Sequence, residues 1–323
     1  MSALLYDEIR RLKSSIDAAI LAHYYEDGDI QDIADYVGDS YFLAKKGQEL
    51  PHSTILLAGV VFMAESVKIL NPNKRVLVPD LEAGCSLVQA SPYEKYLAWR
   101  LEHPKAIAVT YINSSAQVKA ISDVIVTSSN AETILKSIPA NRDILFGPDQ
   151  HLGRWLSKKT GRHLILWPGS CQVHELFNAK KLHELAQQHP DAVIIAHPEC
   201  DEAVLALASI VGSTSKLLEE VRQNPAKKFI VATESGIFHQ MKKLRPDAEL
   251  IQAPVADSGC HCNQCPYMKL NSLEKIRRAL AEGSPEIQLP ESLRERAALP
   301  LKNMLLAASG QSIKWPDKFT LEC

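Results

Sequence analysis

Ala19-Ile20-Leu21-Ala22-His23-Tyr24-Tyr25, followed by Val37-Gly38-Asp39-Ser40, sets a pattern that the chain repeats twice more. The apolar run predicts a buried strand that ends in a polar cluster. The pattern returns as Ile107-Ala108-Val109-Thr110-Tyr111-Ile112-Asn113 with Val126-Thr127-Ser128-Ser129, and as Val193-Ile194-Ile195-Ala196-His197-Pro198-Glu199 with Val211-Gly212-Ser213-Thr214. Ser40, Ser128 and Thr214 each fall 17 residues after His23, Tyr111 and His197. A helical pattern follows each hydroxyl residue, as in Tyr41 to Leu50 and Ala131 to Ser137, so each is expected at a helix N-cap. Three helix starts would then face one place.

Working outward, a strand, a helix and a strand follow at Thr54 to Pro79, Asp143 to Pro168 and Lys228 to Pro254. Alternating strands and helices specify parallel sheets. The expected fold is α/β, with three pseudo-equivalent three-layer α/β/α units arranged around a central active site. Each unit holds about 85 residues, enough for four strands covered by helices. The units are read as residues 1–85, 86–171 and 172–270, with 271–323 packing back onto the first. The longest apolar run, Ile55 to Ala64, is too short to span a bilayer and reads as a buried strand.

Composition bounds the partners. With 36 Lys+Arg against 38 Asp+Glu in 323 residues, no general basic field exists to hold nucleic acid or an anionic membrane, and anionic ligands must be bound locally. Asp7 and Glu8 interrupt the apolar residues of Met1 to Lys13, which reads as an amphipathic helix rather than an export signal, so a cytoplasmic location is expected. Gly-x-Gly-x-x-Gly follows no strand, which argues against a dinucleotide-dependent dehydrogenase.

The chain has seven cysteines, an odd number that does not suit a disulfide framework. One falls beyond the last strand of each unit: Cys85 in Gly84-Cys85-Ser86, Cys171 in Pro168-Gly169-Ser170-Cys171, and the cluster Cys260-His261-Cys262-Asn263-Gln264-Cys265. In parallel sheets that edge is where ligands bind. Three thiolates on an iron-sulfur cluster leave one iron without a protein ligand, which suits Lewis-acid catalysis rather than electron transfer. Zinc is the rival, given the density of soft ligands at 260–265. Cys200 reads as a buried small residue.

These motifs, from Ala22-His23-Tyr24-Tyr25 through Pro168-Gly169-Ser170-Cys171-Gln172-Val173-His174 and His197-Pro198-Glu199-Cys200 to Cys265-Pro266-Tyr267-Met268, resemble the quinolinate synthase family over nearly the whole chain. The resemblance implies condensation of iminosuccinate with dihydroxyacetone phosphate to quinolinate, phosphate and water in de novo NAD biosynthesis. It implies a 4Fe-4S cluster on Cys85, Cys171 and Cys265, and an L-aspartate oxidase as supplier of iminosuccinate. By position, His23, Ser40, Tyr111, Asn113, Ser128, His197, Glu199 and Thr214 correspond to the substrate-binding set, with Tyr25 and His174 lining the same cavity. The chain departs from the Cys-x-x-Cys-x-x-Cys of related C-terminal clusters, so the roles of Cys260 and Cys262 stay open.

The chemistry assigns expected roles. Ser40, Ser128 and Thr214 offer hydroxyl and amide donors to anions at helix starts. Glu199 and His197 form an expected acid-base pair, with Tyr25 and His174 as further catalytic groups. Taken singly, His23 or His197 reads more readily as a core histidine; their equivalence across repeats favours a site. The competing class is a non-enzymatic zinc- or anion-binding protein of three α/β units.

Overall fold

A computed structural model describes residues 2–256 and 263–320, so Cys260, Cys262 and Cys323 lie outside the described residues. Among the described residues, twelve strands form three sheets. The first holds β1 (Ala18–His23), β2 (Tyr36–Gly38), β3 (Thr54–Ala58) and β4 (Arg75–Leu77). The second holds β5 (Ile107–Tyr111), β6 (Val124–Val126), β7 (Ile144–Gly147) and β8 (Ile165–Leu166). The third holds β9 (Val193–Ala196), β10 (Ile210–Val211), β11 (Lys228–Ala232) and β12 (Glu249–Gln252). Each sheet has its second strand outermost, then first, third and fourth, and every pairing is parallel. The threefold repeat in the sequence is therefore a threefold repeat of topology.

The central strands are apolar along their length because helices cover both faces. Every residue of β1, β3, β5 and β7 is buried. The run Ile55 to Ala64 is not one strand: β3 ends at Ala58, and a helix begins at Val61 and continues to Leu70. That helix buries Phe62, Met63, Ala64, Ser66, Val67, Ile69 and Leu70. An element covered on nearly all sides carries no polar stripe, so strand and helix merge into one apolar run.

The C-terminal segment divides between two units. Helix Leu273–Glu282 packs on the N-terminal helix Ser2–Ser15 and on β3. Helix Glu291–Ala308 packs on helix Val61–Leu70 of the first unit and also on β6, helix Ala116–Lys119 and helix Ala131–Ser137 of the second. Its Ala297, Leu301, Met304 and Ala307 join a core continuous with Leu57 and Val109, which fuses the first two units. The third unit keeps its own core on either face of its sheet. The strand ends of all three units meet at the junction this leaves. Among the described residues no helix is long and apolar enough to cross a membrane.

Candidate functional site

A cavity opens where the carboxyl ends of the three sheets converge. All thirteen residues singled out in the sequence line it: His23, Tyr25, Ser40, Cys85, Tyr111, Asn113, Ser128, Cys171, His174, His197, Glu199, Thr214 and Cys265. His23 ends β1, Tyr111 ends β5 and His197 follows β9. Parallel strands direct their C-terminal residues to one edge, so equivalent positions in three units reach one space.

The hydroxyl residues sit slightly off the expected caps. Ser40 and Thr214 are the first residues of helices Ser40–Glu49 and Thr214–Gln223, and the caps are Asp39 and Ser213, which accept from the amides of Phe42 and Lys216. Ser128 lies two residues before Asn130, the cap of helix Ala131–Ser137, because the Asn130 side chain accepts the Thr127 amide at 2.8 Å and adds a turn. Ser40 and Thr214 still combine a hydroxyl with a helix N-terminal amide, a favourable setting for an anion.

His23 and His197 are held alike. The Tyr25 amide donates to His23 Nδ1 at 3.1 Å, and the Glu199 amide donates to His197 Nδ1 at 3.4 Å. In each case the backbone two residues ahead fixes Nδ1 as acceptor and leaves Nε2–H as donor. Burial pushes both imidazoles down to about 3, against the pull of Glu199, so both stay neutral at physiological pH. The His197 Nε2 faces Ser128 Oγ at 3.3 Å.

The closer partner of Glu199 is therefore His174 rather than the expected His197: Glu199 Oε2 lies 2.9 Å from His174 Nδ1 and 3.9 Å from His197 Nδ1. Burial raises the Glu199 carboxyl, but His197, His174 and the Tyr111 hydroxyl outweigh it and hold the group below the usual carboxylate range. On the far side of the ring, His174 Nε2 lies 2.9 Å from Thr233 Oγ1, which lies 2.7 Å from the Tyr25 hydroxyl. An ionised Glu199 accepts from His174 Nδ1–H, and with that ring in the single-proton tautomer Nε2 accepts from Thr233 and Thr233 accepts from Tyr25. Tyr25 keeps its proton, since burial and Glu199 raise its phenol well above its ordinary value.

Each lining cysteine is faced by backbone amides just ahead of it: Val88 and Leu87 at Cys85, His174 at Cys171, Met268 and Tyr267 at Cys265. Such N–H groups favour thiolate ligands. Burial nevertheless pushes Cys85 up to about 12 and Cys265 to about 11, and raises Cys171 well above its ordinary value, with neighbouring thiols adding to the shifts of Cys85 and Cys171. Thiols that are amide-lined yet too desolvated to ionise alone fit a bound cationic centre, which holds its ligands as thiolates. A smaller donor set also exists: one ligand atom each from Cys171, His174 and Glu199 lie within 4.8 Å of one another.

Two buried carboxylates behind the cysteines escaped the sequence reading. Asp149 Oδ2 accepts the Cys171 amide at 3.2 Å, and Glu234 Oε1 accepts the Cys265 amide at 3.1 Å. Each stands two residues past the third strand of its sheet, where the first unit has Val60. Aligning the repeats at that position would have found them. Thr233 gave no such signal.

Glu26 is a third buried carboxyl, pushed up by burial to about 8. Its Oε1 accepts from Asn271 Nδ2 at 2.7 Å, while Glu26 Oε2 and Asn271 Oδ1 have no partners. The folded chain keeps this proton up to about pH 8, whereas the unfolded chain releases it near its ordinary 4.5, so stability falls as pH rises between those values and is level above. Glu26→Gln is expected to flatten that fall. Its Tm should exceed wild type by about 2–6 °C at pH 9 and by little near pH 4.5. Parallel Tm-against-pH curves for the two proteins would contradict this.

A family model described as quinolinate synthetase A protein matches residues 7–306. Quinolinate synthase of Prochlorococcus marinus (strain MIT 9303) is 52% identical over 297 residues, covering 92% of this chain and 89% of that protein. The proteins of the same name from Trichodesmium erythraeum (strain IMS101) and Chloroherpeton thalassium (strain ATCC 35110 / GB-78) are 51% and 48% identical over 301 residues, covering 93% of this chain and 93% and 94% of theirs. With the same motifs set at one cavity by three equivalent sheets, the chain belongs to the quinolinate synthetase A family of enzymes.

Proposed function

We propose that this chain is a cytoplasmic quinolinate synthase of NAD biosynthesis, condensing iminosuccinate with dihydroxyacetone phosphate to quinolinate, phosphate and water, with Cys85, Cys171 and Cys265 holding a 4Fe-4S cluster. The observation that carries this reading is that each unit delivers an amide-faced thiol and a polar strand end to one cavity. When bound, the cluster supplies a Lewis-acidic iron for which no fourth cysteine lines the cavity among the described residues.

The chain's own groups orient the substrates and move protons. Ser40 and Thr214 present hydroxyl and amide donors to phosphate or carboxylate. Neutral His23 and His197 donate from Nε2 to carboxylate oxygens, and neutrality avoids a permanent ion pair with the substrate. The buried, unpartnered Asn113 Oδ1 awaits a donor, such as an imine N–H or a substrate hydroxyl. Glu199, ionised and held by His174 and Tyr111, is placed to accept the proton released on enolisation. Tyr25, which keeps its proton and lies 2.7 Å from Thr233, is placed to give that proton to a leaving group. A departing hydroxyl needs that proton. Because iminosuccinate hydrolyses in water, an L-aspartate oxidase is the proposed supplier.

The test is anaerobic purification of the intact chain, iron and sulfide analysis, and a quinolinate assay with enzymatically generated iminosuccinate and dihydroxyacetone phosphate. About four irons per chain and quinolinate formation that chelation abolishes are expected. A colourless protein with one zinc and no product would overturn the reading and favour the Cys171, His174 and Glu199 donor set of a zinc-binding protein.

A further inference from the structure

Among the described residues, no lysine or arginine lines the cavity. On the reading above, that cavity takes two anionic substrates beside an ionised Glu199. Beyond the helix-start amides and a bound cluster, a further positive charge can act only from behind the wall. Lys269 stands there but faces two carboxylates, Asp27 at 2.7 Å and Glu234 at 3.7 Å. Lys119 is different.

Lys119 is fully buried. Its Nζ donates to the carbonyls of Ile112, at 2.9 Å, and Ser114, the two residues that flank Asn113. The same ammonium lies 5.3 Å from the ring centre of Phe62, a wall residue contributed by the first unit. Glu65 is its counter-charge, set one helical turn beyond Phe62, and that carboxylate also accepts the Ala116 amide at 2.9 Å. An ammonium carries a large cost when buried and is retained where its charge or its donors are needed. Here both are directed at the loop that presents Asn113, whose Oδ1 has no partner within the protein.

We infer that Lys119 is a positioning residue for substrate: it clamps the carbonyls on either side of Asn113 and places behind the cavity wall the positive charge that the lining lacks. This rests on the cavity being the anion site proposed above. A desolvated unit charge within several ångströms of a bound anion changes affinity by on the order of tenfold. Glu65 opposes it, so removing Glu65 should act with the opposite sign.

The experiment compares Lys119→Met and Glu65→Gln with wild type in the reconstituted full chain near pH 6.5. Titration calorimetry with inorganic phosphate and with succinate reads anion binding without turnover. Steady-state kinetics then separate KM from kcat. The expected result for Lys119→Met is binding weakened about tenfold and KM raised to match, with kcat within about threefold of wild type. The expected result for Glu65→Gln is tighter anion binding. If both variants lose affinity in step with a loss of Tm, Lys119 is a structural cap and the inference falls. Should Lys119→Met fail to fold, Glu65→Gln decides alone, and unchanged or weaker binding overturns the proposal. A wild type that binds both probes but forms no quinolinate would count against the proposed reaction and leave the Lys119 result standing.

Discussion

Cys171→Ser is expected to lose its iron on anaerobic purification and to form quinolinate at less than about a thousandth of the wild-type rate, and Cys85→Ser and Cys265→Ser should do the same. The three thiols come from three different sheets, so none replaces another. Each also has its own amide setting, built by the residues that follow it. A serine hydroxyl in the same place is a far weaker ligand for iron. Cys200→Ser is the control. Cys200 is fully buried in the core of the third unit, where its Sγ donates to the Ala232 carbonyl at 3.3 Å. Its serine variant should keep iron and activity. Iron content and visible absorbance distinguish the cases before any assay. If the Cys85 and Cys265 variants keep full metal and only Cys171→Ser loses it, the cluster assignment fails and a single metal on Cys171, His174 and Glu199 takes its place.

Most of this site was legible because it is repeated. His23 and His197 are individually ambiguous, yet their shared spacing to Ser40 and Thr214 marked them as equivalent strand ends, and the structure gives them the same amide-fixed tautomer. Where the repeat varies, reading was harder. Asp149 and Glu234 occupy one repeat position, but the first unit has Val60 there, so no shared polar type drew attention to it. Thr233 follows the buried strand Lys228–Ala232, and its importance lies in two partners, Tyr25 and His174, that are remote in sequence. The strand–helix boundary inside Ile55 to Ala64 was hidden because both elements are enclosed. The division of the C-terminal segment between two units was illegible for a related reason. An apolar helix face such as Ala297, Leu301 and Met304 shows that something covers it, not which unit does.

Glu199→Gln is the second change with a large expected effect, a loss of about a thousandfold in kcat with iron content unchanged. The amide is close to isosteric, and its oxygen can still accept from His174 Nδ1 and the Tyr111 hydroxyl, so the cavity should keep its shape. What disappears is the negative charge that holds the proton on His174 Nδ1. The direction of the line from Tyr25 through Thr233 to His174 then loses its anchor, and the proton acceptor is gone as well. Because Glu199 sits below the usual carboxylate range, it is ionised throughout pH 5–9. Any acid limb of the wild-type rate profile within that range must therefore belong to another group, and the Gln variant should retain the same limb at its lower rate. A variant with near wild-type kcat would remove Glu199 from the chemistry. A variant with normal kcat but a large rise in KM would recast it as a group that orients His174 for binding alone.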